Sequence, residues 1–309
     1  MKKVKIGIPK ALLYYKYQVM WRSFFEELGL EVVVSPNTNK AILDLGTNSS
    51  IDESCTSAKI YMGHVEWLIG KCDYIFVPRI VSYEGGDITC TKFHGIYDIV
   101  RATFPAAKFL HYNVDYAEGH TQEKAYSKLG KELGAKPAAV KLAYENALNA
   151  LKNYEKGLES RQEALVCAES LKVLVVAHPY NIYDKLIGEP IVKALEELNV
   201  GVLYADIPDT IDMCKQSKTL SDSMYWRYNK ELVGAIGHYK DDIDGIIFMA
   251  TFPCGPDSLA IELLMRKLKE IPMTTLIVDS NFGEAGIQTR IESFIDIIEA
   301  KKKEAAHAV

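Results

Sequence analysis

The sequence predicts an α/β protein made of two Rossmann-like, flavodoxin-like parallel-sheet domains joined by a helical connector. Three observations carry that expectation. Short β-branched runs alternate with helical patterns, the alternation stops once for a long Ala-, Lys-, Glu- and Leu-rich stretch, and then it resumes. A chain of 309 residues is also too long for one average domain. The expected division is an N-terminal α/β domain over 1–118, a helical connector over 119–168 and a C-terminal α/β domain over 169–309.

The elements follow in order. Val4 to Ile8 reads as the first strand, and the apolar and aromatic residues from Leu12 to Leu28 recur at helical spacing before Gly29 stops them. Glu31 to Val34, Tyr74 to Val77 and Phe109 to Tyr112 complete the first set of strands. From Gln122 to Ala168 strand-like runs vanish, which predicts two helices broken near Lys136-Pro137. Strands return at Val173 to Val176, Val202 to Tyr204, Gly245 to Met249 and Thr275 to Val278, and a last helix is expected from Ile287 to Lys303. The stripe Tyr14, Tyr15, Tyr17, Trp21, Phe24 and Phe25 reads as core and domain-contact surface. The two halves share an architecture of βα units.

A net charge of -5 argues against nucleic acid or an anionic membrane as the main partner. No apolar run is long enough to span a bilayer, and Lys5, Pro9, Lys10, Lys16 and Arg22 interrupt any leader-like segment. A cytoplasmic protein is therefore expected. Disulfides are not expected there, so the six cysteines call for another role.

In parallel sheets ligands bind beyond the carboxyl ends of the strands, and three cysteines fit that rule. Cys254 follows a strong strand in Thr-Phe-Pro-Cys-Gly-Pro-Asp, Cys90 ends a Gly-rich loop after the strand that reaches Pro78, and Cys55 precedes a helical pattern that runs to Leu68. A helix N-terminus favours a thiolate. Cys72 precedes its strand at the opposite edge, Cys167 ends the connector, and Cys214 has no evident partner. Spacing leaves buried structural thiols and zinc open beside an iron–sulfur site, because no Cys-x-x-Cys pair is present.

Several polar residues flank these positions. His178 begins a His-Pro-Tyr-Asn loop with Tyr180 and Asn181, and reads as a proton donor, as a hydrogen-bond partner of the cofactor or as a loop cap. Glu53 could reach an open metal position or complement the helix N-terminus, and Lys59 lies just beyond Cys55. Arg79, Ser82 and Lys92 could take an anionic substrate group or balance negative charge. Asp257 and Ser258 are read as helix caps after Cys254, and His64 as a packing residue.

The motifs Gly7-Ile8-Pro9-Lys10-Ala11-Leu12, Ser35-Pro36-Asn37-Thr38-Asn39-Lys40, Asp52-Glu53-Ser54-Cys55, Val77-Pro78-Arg79, Cys90-Thr91-Lys92-Phe93, His178-Pro179-Tyr180-Asn181, Phe252-Pro253-Cys254-Gly255-Pro256-Asp257-Ser258 and Gly283-Glu284-Ala285-Gly286 span both halves. In them the chain resembles the acyl-CoA dehydratase activase-related proteins of the DUF2229 family, relatives of the 2-hydroxyacyl-CoA dehydratase iron–sulfur subunits. The resemblance implies a [4Fe-4S] cluster on Cys55, Cys90 and Cys254 between the domains, with one iron open to water, sulfide or a substrate oxygen. It also implies low-potential one-electron chemistry on an acyl-CoA or other small molecule in an anaerobic setting. The electron would come from a separate ATP-dependent activase or another donor, since the chain carries no Walker-type loop. A homodimer or a related second subunit fits the same resemblance. So does a non-catalytic role as an electron-transfer or cluster-bearing partner. The family often has proline after the first two cysteines, where this chain has Thr56-Ser57 and Thr91.

Overall fold

The computed structural model describes residues 3–279 and 284–307. Gly283, in the last of the motifs above, lies outside the described residues, as do the side chains of Glu284 and Ala285. The chain divides into two compact units, Met1–Gly157 and Leu158–Val309.

In the first unit, β1 (Lys5–Ile8), β2 (Glu31–Val34), β3 (Tyr74–Ser82) and β4 (Phe109–Asp115) form an all-parallel sheet in the order β2-β1-β3-β4. Its helices are α1 (Tyr14–Glu27), α2 (Lys40–Asn48), α3 (Thr56–Leu68), α4 (Thr91–Thr103), α5 (Gln122–Glu132) and the start of α6 (Pro137–Val166). Helices on both faces require strands that are apolar on both sides, and Ile6, Ile8, Phe76 and Leu110 are fully buried. The aromatic stripe of α1 is core except for the half-buried Tyr15: Trp21 packs edge-on against Phe76 with ring centroids 4.9 Å apart, and Phe24 meets Tyr126 at 4.6 Å. The helix begins at Tyr14, later than its periodicity suggests, because Leu12 takes φ +48 and cannot join a right-handed turn.

The second unit repeats the plan. β5 (Lys172–Val176), β6 (Gly201–Tyr204), β7 (Gly245–Thr251) and β8 (Met273–Val278) are all parallel in the order β6-β5-β7-β8. Its further helices are α7 (Pro179–Ile182), α8 (Glu189–Glu197), α9 (Thr210–Leu220), α10 (Arg227–Tyr239), α11 (Gly255–Lys267) and α12 (Glu284–His307). Every residue of the central strand β7 is buried, in keeping with its continuous apolar run.

The segment read as a connector becomes α5 and α6, separated at Gly134 (φ +73) and restarted by Pro137, a residue suited to a first helical turn. The 30 residues of α6 give a rod of about 45 Å. The boundary between the units falls inside it, after Gly157. No helix among the described residues is long and apolar enough to cross a membrane.

Candidate functional site

Each sheet carries cysteines beyond its carboxyl edge, and each of the three singled out by topology is the residue that starts a helix. Cys55 is the N-cap of α3, Cys90 of α4 and Cys254 of α11, and none of the three sulfurs makes a capping hydrogen bond. The three backbones are extended at the cap, with φ/ψ of -62/150, -72/155 and -116/107. That geometry leaves the first-turn N–H groups and the positive end of the helix dipole to favour thiolate character.

In the first unit α2 and α3 form a tight hairpin. A Cβ on Gly63 would lie 2.0 Å from the carbonyl oxygen of Ile42, and one on Gly46 would lie 1.7 Å from that of Lys59, so only glycine fits at either point. The middle of α3 is pinned to the sheet edge by His64. This fully buried ring places Nδ1 2.8 Å from Ser35 Oγ and Nε2 3.0 Å from Thr38 Oγ1. Burial, with Lys10 nearby, pushes its pKa down to about 3, so the ring is neutral. Cys55 sits nine residues before His64, about 13 Å further along the helix. Lys59 Nζ donates to the Asp52 carbonyl at 3.0 Å and closes the turn before Cys55. Lys92 Nζ, in the first turn of α4, donates to Ser54 Oγ at 3.3 Å and ties the Cys55 turn to the helix that Cys90 starts. Glu53 is exposed on that turn.

The Gly-rich loop before Cys90 folds back on itself. Gly85 and Gly86 take φ +88 and +87, Tyr83 N–H reaches the Asp87 carbonyl at 2.8 Å, and the Tyr83 hydroxyl lies 2.7 Å from that of Tyr17. Arg79 donates from Nε to the His94 carbonyl at 2.8 Å and from its guanidinium to Asn113, while Ser82 Oγ donates to Asp115 at 2.7 Å. These bonds brace β3 against α4 and β4. Burial and Arg79 depress the pKa of His94.

In the second unit the expected capping by Asp257 and Ser258 is replaced by another arrangement. Cys254 holds the cap position, so Asp257 falls in the first turn, where its side chain points inward and only 5% of the residue is exposed. His178 Nε2 lies 2.8 Å and Asn229 Nδ2 2.9 Å from the same Asp257 oxygen. The Cys254 thiol also bonds this carboxylate. Burial pushes the Asp257 pKa up, but the adjacent His178 and the bonds from His178, Asn229 and Cys254 outweigh it and hold the group below the ordinary carboxylate range. Ser258 Oγ turns back to donate to the Cys254 carbonyl at 2.7 Å. His178 starts the short helix α7 without capping it, and stacks on Tyr180 at 4.9 Å and 17°. Asn181 is fully buried beside them in sequence. A cavity of about 20 Å³, the size of one water, lies against Asn229 and Asp257.

Sequence reasoning missed Asn229, Ser35 and Thr38. A mid-helix Asn carries no signal of its own, and the two hydroxyls sat unremarked in a motif singled out for its pattern. Among the described residues no disulfide forms, and no three His, Cys, Asp or Glu side chains stand together as a metal-binding group. Cys72 has its thiol pKa raised by burial and bonds the Leu68 carbonyl at 3.5 Å; Cys167 is exposed.

The family model described as CoA enzyme activase uncharacterised domain (DUF2229) matches residues 5–207, roughly two-thirds of the chain. The chain belongs to this family. The matched span of this DUF2229 protein includes Cys55, Cys90 and His178 and stops before Cys254. No curated protein matches it. Among solved structures it is similar to the SBP FpvC from Pseudomonas aeruginosa in complex with Mn2+, at 15% identity and a TM-score of 0.31 over 98% of this chain and 100% of that one. ZnuA gives 10% identity and a TM-score of 0.32 over 97% and 99%. The UDP-GlcNAc 2-epimerase from Methanocaldococcus jannaschii gives 11% and 0.22 over 94% and 92%. Scores this low carry no functional argument.

Proposed function

We propose that Cys55, Cys90 and Cys254 ligate a [4Fe-4S] cluster and that this DUF2229 protein does low-potential one-electron chemistry of the 2-hydroxyacyl-CoA dehydratase-like group. The observation that carries the reading is the shared placement of three thiols, each at the N-cap of a helix beyond the carboxyl edge of its sheet. The donor set suits such a group: soft sulfur ligands, each at the positive end of a helix. When bound, the cluster supplies an iron that takes up one electron and can hold a substrate oxygen.

The chain's own residues have distinct parts in this reading. The first turns of α3, α4 and α11 favour the anionic sulfurs. Lys92 and Lys59 set positive charge on the turn of Cys55, and Lys92 also couples it to the Cys90 helix. Asp257, braced by His178 and Asn229, fixes the side of the α11 turn from which Cys254 presents its sulfur. The electron comes from an ATP-dependent activase or another donor, and an acyl-CoA or other small molecule is the substrate.

The test is anaerobic purification or reconstitution followed by iron and sulfide analysis. About four irons and matching sulfide are expected, with a marked loss in Cys254→Ser. A colourless protein after reconstitution, or zinc in place of iron, sinks the reading. The family description speaks of activation, which favours a second reading as a cluster-bearing electron-transfer partner. Reversible redox without turnover of 2-hydroxyacyl-CoA, in the presence of reductant and activase, selects that alternative.

A further inference from the structure

The carboxyl edge of the first sheet is bridged by its own chain. In the order β2-β1-β3-β4 the chain leaves β1 toward β2 and leaves β3 toward β4, so the connections part between β1 and β3. Open parallel sheets take up ligands at such a parting point. Here two side chains span it. Tyr17 lies on α1, which follows β1, and Tyr83 lies on the loop that follows β3, and their hydroxyls stand 2.7 Å apart.

The two ends of that bond differ in freedom. Tyr17 is buried, with its ring 5.8 Å from that of Trp21 in the core. Tyr83 rides on a hairpin. Ser82 and Ile88 pair as an antiparallel bridge, Tyr83 N–H donates to the Asp87 carbonyl at 2.8 Å, and Gly86 N–H donates to the Tyr83 carbonyl at 3.2 Å. The base of the hairpin is fixed. Thr89 Oγ1 donates to the Ile80 carbonyl at 2.6 Å and Thr89 N–H to that of Val81 at 2.9 Å, while Ser82 Oγ donates to Asp115 at 2.7 Å. Ser82 and Thr89 are buried, whereas Glu84, Gly85 and Gly86 at the tip are exposed. A Cβ on Gly85 or Gly86 would meet nothing within 4 Å, so the tip stands clear of its neighbours. The returning arm runs into Cys90, which is half-buried with the hairpin in this position.

We propose that the hairpin over residues 82–89 is a lid on the β1–β3 parting point, hinged at Ser82 and Thr89 and latched by the Tyr17–Tyr83 hydroxyl bond, and that its opening admits small molecules to Cys90. The lid belongs wholly to the first unit and does not depend on what Cys90 ligates. Its closed state is held at the moving end by a side-chain bond to a rigid helix, so the latch sets how often the tip lifts.

The test uses the full chain, reduced and free of metal, with Tyr17→Phe, Tyr83→Phe and the double variant. Each keeps its ring and loses the latch. Amide hydrogen exchange over residues 83–88 should rise about five- to tenfold in either single variant, as expected for one lost hydrogen bond. The alkylation rate of Cys90 by iodoacetamide, followed by peptide mass spectrometry, should rise by a similar factor, and that of Cys72 should stay at its wild-type value. The double variant should match the single ones to within about twofold, because both remove the same bond. Wild-type exchange and alkylation in both single variants overturn the lid. So does faster exchange with an unchanged Cys90 rate, since such a hairpin gates nothing. Faster exchange that spreads through α1 and β3 overturns it as well, because the two tyrosines then support the core rather than a latch.

Discussion

At the carboxyl edge of the first sheet a neutral imidazole, His64, is held between the hydroxyls of Ser35 and Thr38. At the edge of the second, an anionic carboxylate, Asp257, is held between an imidazole and an amide. Both groups are buried, and both anchor a helix that starts at one of the cap positions. Their frames agree closely: the same strand order, 13 residues in both α3 and α10 and in both α4 and α11, the same glycine contact and the same aspartate bond to the first strand. Backbone contacts fix the frame, and there a methyl group is already too much. Side chains at the edge are free to differ as long as each buried polar atom finds a partner. Chemistry can therefore diverge between two copies of one scaffold without the scaffold changing.

The helix hairpins provide the strongest test of the common frame. Gly46→Ala and Gly63→Ala in the first unit, and Gly234→Ala in the second, each drive a methyl into a backbone carbonyl that cannot step aside. Each should cost about 3 kcal/mol or more, at the upper end for overpacking. Gly237→Ala meets nothing closer than the Thr219 hydroxyl at 3.2 Å and should cost about 1 kcal/mol or less. Two units need not unfold together, so local hydrogen exchange over α2–α3 and α9–α10 is the measurement. Unchanged protection in Gly63→Ala would break the comparison at its base.

The polar anchors come next. Asp257→Ala strands His178 and Asn229 without their shared acceptor and should destabilise the second unit by about 2 kcal/mol, with Asp257→Asn milder because an amide oxygen still accepts. The loss should appear in exchange at α10 and α11 and leave the first unit alone. Equal losses in both units would mean that the anchor is not local.

The fold was legible because parallel sheets covered on both faces need continuous apolar strands, and β5 and β7 supply them in plain runs such as Val173 to Val176. That Cys55, Cys90 and Cys254 each stand at the start of a helix was legible from the strand and helix patterns on either side of them. What the sequence hid was partnership. Asp257 looked like a cap, yet the cap position belongs to Cys254, and the acid points to residues 79 positions earlier and 28 earlier. The repeat was visible only as architecture, since few side chains recur across it. Gly63 and Gly234 announce themselves only when the facing carbonyls are known.

The anchors should also differ in their response to acid. The pKa of His64 is lowered by burial from 6.5 to about 3, so its folded value lies below its unfolded one. Neutral His64 thus contributes stability that is complete above about pH 6.5 and falls as the pH drops toward 3, by at most about 1.4 kcal/mol per unit. In His64→Gln the stability at neutral pH should drop, and the slope over α3 between pH 6.5 and 4.5 should flatten. A slope as steep as wild type would assign the acid sensitivity to other groups.

The smallest effect sharpens the comparison most, because it asks whether two copies of one bond have the same strength. Asp73→Ala removes a carboxylate from the Lys5 N–H, and Asp244→Ala removes one from the Lys172 N–H, at the same length of 2.8 Å. Each loss should cost about 1 kcal/mol. Asp244 also pairs with Lys302 at 2.6 Å, an exposed lysine on α12, so its removal should cost a further few tenths of a kcal/mol that vanish in high salt. Exchange at the first residues of β1 and β5, measured at low and high ionic strength, separates the two parts. The two variants should converge at high salt and differ at low salt. A difference that survives in salt would place the asymmetry in the strand contacts rather than in the ion pair.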